Sequence, residues 1–173
     1  DKRFYLLKGV TGSGKTEVYL SIIREALKKG EGVIFLLPEI ALTPQMIDKF
    51  KNAFNENLAI LHSKLTPVQR ETEWMSIYTE EKNIVLGVRS AIFAPVKNLK
   101  YIIIDEEHES SYKQDSDPRY DARYVALKRA EIENAKVLMG SATPLVESYF
   151  YAKNGIFELL ELNKRYNENA LPK

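Results

Sequence analysis

Cysteine is absent from this sequence of 173 residues, and histidine occurs only twice. A disulfide or a cysteine-based zinc site therefore cannot form within it, and we expect no zinc in this segment. No apolar run approaches the length of about 18 residues that a transmembrane helix requires, and no signal-peptide pattern opens the chain. We therefore predict a cytoplasmic protein with no membrane partner. Basic residues number 25 and acidic residues 24, so any nucleic-acid binding has to be local.

Hydrophobic residues make up 45% of the chain and charged residues 28%, as is typical of one soluble globular domain. Short β-rich runs alternate with amphipathic helical patterns. The predicted strands cover residues 4–8, 33–37, 58–62, 84–88, 101–105 and 136–140. The predicted helices cover residues 15–29, 44–54, 67–79, 121–134 and 144–153. Right-handed crossovers between them give an α/β fold with a mostly parallel sheet and helices on both faces.

Local signals refine this outline. Three helices open with proline after threonine, a pattern that favours an N-terminal cap: Thr43-Pro44, Thr66-Pro67 and Thr143-Pro144.

The polar stretch 112–124 is predicted to be a loop that leads into a helix. The side chains predicted to be structural are His62 and the core residues Trp74, Ile77 and Tyr78. We expect one domain over residues 1–162 and a polar tail over 163–173 that leads towards a further domain of a longer polypeptide.

Residues 9–16 read Gly-Val-Thr-Gly-Ser-Gly-Lys-Thr and satisfy the phosphate-binding P-loop pattern at every specified position. A predicted strand precedes this stretch and a predicted helix follows it, so loop N–H groups and the positive end of the helix converge on the phosphates. Lys15 is expected to reach the β- and γ-phosphates of ATP, and the Thr16 hydroxyl to ligate Mg²⁺. The predicted nucleotide-binding residues are Gly9, Thr11, Gly12, Ser13, Gly14, Lys15 and Thr16.

The strand predicted over residues 101–105 ends in an acidic cluster. Asp105 is expected at the C-terminal edge of the sheet, where open α/β sheets bind ligands, and there it holds the Mg²⁺ shell. Glu106 is the candidate that orients or deprotonates the attacking water, whereas Glu107 is expected to face solvent or a partner. An isolated cluster of this kind is more often a solvated loop, but the P-loop reverses that preference. The predicted catalytic residues are Glu106, Lys15 and Asp105.

Seven segments together resemble the first helicase lobe of the primosomal protein N′ (PriA) family of bacterial replication-restart helicases. They cover residues 9–19, 37–45, 61–63, 88–95, 104–108, 111–114 and 140–144. The resemblance implies a RecA-like lobe of a superfamily-2 DExH-type helicase that uses ATP and Mg²⁺ to unwind DNA 3′ to 5′ at stalled forks. It implies single-stranded and fork DNA, a second helicase lobe of the same polypeptide, primosome proteins and single-strand-binding protein as partners. Since it places the arginine finger on the second lobe, the isolated first lobe is expected to be nearly inactive.

The same resemblance assigns coupling roles around the Gly-Ser-Ala-Thr-Pro segment at 140–144. It makes Ser141 and Thr143 a sensor that links nucleotide state to DNA binding, and His108 a polar link between the γ-phosphate and that sensor. From the residues alone, the segment reads as a strand-to-helix turn capped by Thr143.

DNA contacts are predicted at two places. Thr43, Arg89 and Ser90 follow predicted strands, where they can hold phosphates without reading bases. The stretch after the acidic cluster interleaves aromatic and basic residues, a composition suited to stacking bases and neutralising phosphates. It resembles the aromatic-rich loop through which bound single strand activates hydrolysis in related helicases. Its predicted DNA-binding residues are Tyr112, Lys113, Arg119 and Tyr120, beside Arg123 and Tyr124.

Three positions near the expected DNA path depart from the family pattern: Lys64, Val88 and Asp121. Other functions share part of these motifs. An RNA helicase or a restriction-type motor would carry the same ATPase residues. A P-loop kinase would need an Arg-rich lid segment, which the sequence does not show, and a non-hydrolysing ATP switch is disfavoured by Glu106.

Overall fold

The computed structural model describes residues 2–163, and these form nine strands and five α-helices. The strands are β1 (Phe4–Gly9), β2 (Gly32–Leu36), β3 (Leu58–Leu61), β4 (Ile84–Gly87), β5 (Leu99–Ile104), β6 (Lys113–Gln114), β7 (Tyr120–Asp121), β8 (Lys136–Ser141) and β9 (Glu158–Leu162). The helices are α1 (Lys15–Lys28), α2 (Pro44–Phe54), α3 (Pro67–Tyr78), α4 (Ala122–Glu133) and α5 (Val146–Lys153). All six predicted strands and all five predicted helices are present.

One parallel sheet organises the fold, with the strand order β3-β4-β2-β5-β8-β1-β9. The α/β fold class is therefore confirmed. Every residue of β2 and β4 is buried, as expected of strands that are covered on both faces. The edge strand β9 was not predicted, because its Glu-Leu-Leu-Glu-Leu sequence gives neither a continuous apolar run nor strict alternation.

Two apolar layers cover the sheet. On one face, Tyr19 and Ile23 of α1 pack with Phe50 and Phe54 of α2, and the ring of Phe50 stacks on Phe35 of β2 at a centroid distance of 5.0 Å. The opposite face is covered by buried side chains of α3 and α4, which are Ile77, Ala122, Ala126 and Ala130. Helices on both faces are thus confirmed. Within the described part of the chain, none of the helices is long and apolar enough to cross a membrane.

Two of the three predicted helix caps are confirmed. The Thr43 side chain accepts the Met46 N–H at 3.2 Å, and Thr66 forms a reciprocal capping box with Gln69. The third is wrong, because α5 begins at Val146 and its N-cap residue is Leu145, not Thr143.

Three other local predictions meet different outcomes. Tyr78 is 55% exposed and is not a core residue, whereas Ile77 is buried and Trp74 packs partly against the core. The Nδ1 atom of His62 accepts the Lys64 N–H at 3.2 Å, in agreement with a structural role. The tail predicted over 163–173 lies outside the described residues after Asn163, so the domain boundary at 162 stays a prediction.

The stretch 112–124 is not a plain loop. Its strands β6 and β7 form a small antiparallel hairpin, and α4 begins directly after β7. Asp121 caps that helix by accepting the Arg123 N–H at 2.9 Å. The departure from the family pattern at Asp121 therefore supplies a helix cap.

Candidate nucleotide site and DNA-facing edge

Because the sheet is parallel, the C-terminal ends of its strands lie along one edge, which carries the predicted site residues. The adjacent strands β5, β8 and β1 lead into the acidic cluster, the 140–144 segment and the P-loop. Their neighbours β2 and β4 lead towards Thr43 and Arg89. The fold thus places the predicted nucleotide-binding residues and predicted DNA-binding residues side by side.

The P-loop turns sharply between β1 and α1. Gly12 and Gly14 have φ angles of 79° and 91°, in the left-handed region that glycine adopts without strain. A Cβ on Gly9 would lie 2.5 Å from Ser13 Oγ and 3.4 Å from Lys15 Cγ, so side chains of the loop pack closely against the Gly9 backbone. The glycines of the motif therefore serve this turn directly.

Lys15 is buried, and its Nζ donates to the Gly9 carbonyl at 2.7 Å. The ammonium group is therefore held inside the loop by carbonyl oxygens. The Ser13 Oγ is also buried and has no hydrogen-bond partner among the described residues. A buried cation and an unpaired hydroxyl inside a glycine-rich turn are what a phosphate group would satisfy.

Asp105 directly follows β5, as predicted, and its Oδ1 accepts a hydrogen bond of 2.9 Å from the Tyr19 hydroxyl. Burial raises the pKa of the Asp105 carboxyl above its ordinary value, while the Tyr19 hydrogen bond and Lys15 oppose that shift. Burial beside Asp105 also raises the pKa of Tyr19, so its hydroxyl stays a donor at neutral pH. Sequence reasoning assigned no role to Tyr19.

Glu106 has a φ angle of 47°, in a region that residues with a side chain rarely adopt. Such strained positions cluster at active sites. Its Oε2 lies 3.5 Å from His108 Nδ1, and that nitrogen lies 2.7 Å from Ser141 Oγ. The Ser141 Oγ also accepts the Thr143 N–H at 2.9 Å. A polar chain therefore joins the acidic cluster to the 140–144 segment along the path that the resemblance implied.

Glu107 does not face solvent, and that expectation is wrong. It is fully buried, where its Oε1 accepts the Leu145 N–H at 2.8 Å and its Oε2 accepts the Ser148 hydroxyl at 2.9 Å. The carboxylate therefore binds both the residue before α5 and its first turn, which replaces the Thr143 cap that the sequence suggested.

Arg123 binds the backbone of Glu107, since its Nη1 donates to the Glu107 carbonyl at 2.7 Å. Two further nitrogens of the guanidinium donate to the Asp121 carboxylate, at 2.9 and 2.6 Å. Burial alone would lower the pKa of Arg123, but the pair with Asp121 raises it above its ordinary value. The contact ties the start of α4 to the acidic cluster, and no sequence pattern signalled it.

Tyr112 is also placed differently from the prediction. Its ring is 1% exposed, and its hydroxyl donates to the backbone carbonyls of Leu36 and Asp105, the latter at 2.5 Å. Burial raises the pKa of this hydroxyl. In this structure Tyr112 ties β2 to the end of β5 and offers no face on which a base could stack.

The remaining residues predicted to bind DNA differ in exposure. Thr43, Ser90, Lys113 and Arg119 are exposed, and Tyr120 is partly covered by Phe93 at a centroid distance of 5.0 Å.

Arg89 is partly buried and holds the hairpin through the carbonyls of Ser111 and Lys113 and the Gln114 side chain. It lines a cavity of about 360 Å³ together with Arg70, a cation that sequence reasoning missed. Residues that follow β2 and β4 thus line one cavity together with Gln114 of the hairpin.

These residues fit a bound nucleotide with Mg²⁺. Within residues 2–163, no group of three or more acidic, histidine or cysteine side chains could hold a metal by itself. Beside a nucleotide, Mg²⁺ is usually bound through one or two protein oxygens together with phosphate oxygens. Thr16 and Asp105 are the protein groups that could supply such oxygens here.

Residues 1–149 match the family of DEAD/DEAH box helicases. The chain belongs to this family. It is the ATP-binding lobe of a helicase, and the sequence-based resemblance to replication-restart helicases is confirmed by its relatives. It is 52% identical over 172 residues to the replication restart protein PriA of Bacillus subtilis, covering 99% of this chain and 21% of that protein. It is 51% identical to the PriA of Haemophilus influenzae, covering 96% of this chain and 23% of that protein.

Solved structures agree with this assignment. The structure of RecG bound to a three-way DNA junction superposes with a TM-score of 0.64 at 25% identity, over 91% of this chain and 20% of that one. The DEAD-box helicase domain 2 of Mss116p superposes with a TM-score of 0.69 at 14% identity, over 96% of this chain and 65% of that one, and so shows the fold alone. The fold is that of a RecA-like helicase lobe. The chain spans only about a fifth of the length of the PriA relatives.

Proposed function

We propose that this lobe binds Mg-ATP at its P-loop and contacts single-stranded DNA along the neighbouring strand ends, as part of a helicase that unwinds DNA 3′ to 5′ at stalled replication forks. The observation that carries the proposal is the convergence of Lys15, Asp105, Glu106 and the His108–Ser141 pair on one sheet edge. The replication-restart role is supported by relatives of that name that are about half identical to this chain.

In the proposed site, the loop N–H groups, Lys15 and Ser13 would hold the phosphates, and Thr16 and Asp105 would hold Mg²⁺, which would supply positive charge to stabilise the γ-phosphate. Glu106 orients or deprotonates the attacking water. His108 and Ser141 report the state of the γ-phosphate to Thr143. The further residues assigned to phosphate binding are Gly9, Thr11, Gly12 and Gly14.

The proposed DNA path runs over Thr43, Arg89 and Ser90 to the hairpin, where Lys113, Arg119 and Tyr120 meet the strand. Exposed hydroxyls and cations suit a backbone that is held without sequence preference. RecG, the structural relative at 25% identity, is bound to a three-way DNA junction, which supports DNA as the nucleic acid. An RNA helicase would use the same ATPase residues, and comparing DNA and RNA as stimulators of hydrolysis distinguishes the two.

Lys15→Ala tests the nucleotide site. The substitution removes the charge that faces the phosphates, and the fold is expected to survive. Calorimetry should therefore show loss of Mg-ATP binding in a folded variant. Lys64→Ala, at an exposed position on the same edge, is the matched control. Undiminished binding by folded Lys15→Ala protein would show that the site is misassigned.

The lobe by itself should bind nucleotide and hydrolyse it slowly. An arginine finger contributes roughly 10³ to 10⁵ in turnover in related enzymes, and the family resemblance places it on a second lobe of the same polypeptide. Primosome proteins, single-strand-binding protein and a cytoplasmic setting belong to the same proposal for the whole protein.

A further inference from the structure

Tyr19 is fully buried, and its hydroxyl group has no role in the proposed function. It lies on α1, three residues after Thr16, and therefore about one turn further along the same helix. Its hydroxyl donates to Asp105 Oδ1 at 2.9 Å, across 86 positions of sequence. The helix that starts at the P-loop is thus bonded directly to the predicted metal-holding carboxylate.

The surroundings hold the Tyr19 ring in one place. It packs against Phe35 at a centroid distance of 5.3 Å and lies directly over Gly140 of β8. A Cβ at position 140 would overlap the Tyr19 hydroxyl, would lie 2.9 Å from its Cζ and would lie 3.5 Å from Asp105 Oδ1. The glycine at 140 is therefore what leaves room for the hydroxyl to reach Asp105.

A carboxylate that binds a metal has to present an oxygen in a defined direction. Because Tyr19 engages Oδ1, rotation of the Asp105 side chain is restricted and its other oxygen is oriented. Hydrogen-bond partners of this kind commonly decide how well a ligand binds its metal, and their loss costs about 10- to 100-fold in metal affinity or activity.

We infer that Tyr19 is a positioning residue that orients the Asp105 carboxylate for the Mg²⁺ of bound nucleotide, and that Gly140 provides the space it needs. The inference rests on the proposed nucleotide site. It gives a reason for two residues whose identity neither phosphate binding nor the sensor role requires.

The test is Tyr19→Phe, which keeps the ring and removes the hydroxyl. A fluorescent ATP analogue is titrated into the chain in EDTA and at increasing Mg²⁺ concentrations. We expect unchanged affinity in EDTA and a rise of about 10- to 100-fold in the Mg²⁺ concentration for half-maximal effect. Tyr5→Phe is the matched control, since that hydroxyl donates to the Lys2 carbonyl, away from the site.

The outcomes separate the possibilities. A Mg²⁺ dependence equal to that of the unmodified chain, or equal losses in EDTA and in Mg²⁺, would assign Tyr19 to packing only and overturn the inference. Failure of the unmodified chain to bind nucleotide would overturn the proposed site as well.

A second measurement uses Gly140→Ala. Its added methyl group should displace the tyrosine and reproduce the Mg²⁺ defect. In the Tyr19→Phe background the methyl group meets no hydroxyl, so thermal unfolding should show a smaller loss of stability from Gly140→Ala there than in the unmodified chain. If Gly140→Ala lost the same stability in both backgrounds, the proposed contact between Gly140 and the Tyr19 hydroxyl would be contradicted.

Discussion

Replacing Glu107 by alanine should destabilise the folded chain strongly, although its position in an acidic run suggests a surface residue. The substitution removes the acceptor for the Leu145 N–H and for the Ser148 hydroxyl, at 2.8 and 2.9 Å. Hydrogen bonds to a charged group contribute about 1.5 to 3 kcal/mol each. Both are lost together, while the cost of burying the carboxylate is recovered.

We therefore expect a net loss of about 2 to 4 kcal/mol, below the sum of the two bonds because removing a buried charge returns part of its desolvation cost. For a domain of this size, each kcal/mol lowers the melting temperature by about 2 to 4 °C. Glu107→Gln should cost only about 1 kcal/mol, since the amide oxygen still accepts one bond and the Ser148 hydroxyl can turn to accept from the amide nitrogen.

The assay is urea and thermal unfolding of the chain, with Glu71→Ala as the control at an exposed position of α3. Exposed substitutions without special contacts usually change the free energy of unfolding by less than about 0.5 kcal/mol. If Glu107→Ala were no more destabilising than Glu71→Ala, the carboxylate would be solvated and its assigned contacts with α5 would be wrong.

Three further predictions concern the site. Asp105→Asn should raise the melting temperature of the nucleotide-free chain at pH 7, because burial raises the Asp105 pKa and its ionised form therefore opposes folding. This gain in melting temperature should vanish as the pH falls through the raised pKa to below the ordinary value of 3.8. A gain that did not depend on pH would show that ionisation of Asp105 is not its cause. Glu106→Gln in the whole helicase should retain ATP affinity and lose most turnover, whereas equal losses of both would mean that Glu106 acts in binding. Replacing Arg119 and Tyr120 by alanine should reduce DNA-stimulated hydrolysis far more than basal hydrolysis, and a parallel fall of both rates would make the hairpin purely structural.

The amino-acid sequence by itself determined the fold class and the position of the proposed nucleotide site. The P-loop is a contiguous motif, and the strand that ends in Asp105 is a contiguous apolar run. Parallel strand topology then requires both to reach the same sheet edge. Short sequence patterns also identified the helix caps at Thr43 and Thr66, because a helix cap is a contact between residues three positions apart.

Only the tertiary structure decided which polar side chains turn inward. Glu107 bonds to residues 38 and 41 positions away, Tyr112 to one 76 positions away, and Tyr19 to one 86 positions away. Periodicity reports whether a local segment has an apolar face, but it carries no information on the distant donor or acceptor that makes burial of one polar group favourable. An acidic run and an aromatic, basic stretch therefore looked exposed as sequences, and their partners across the sheet edge placed two of their members in the core.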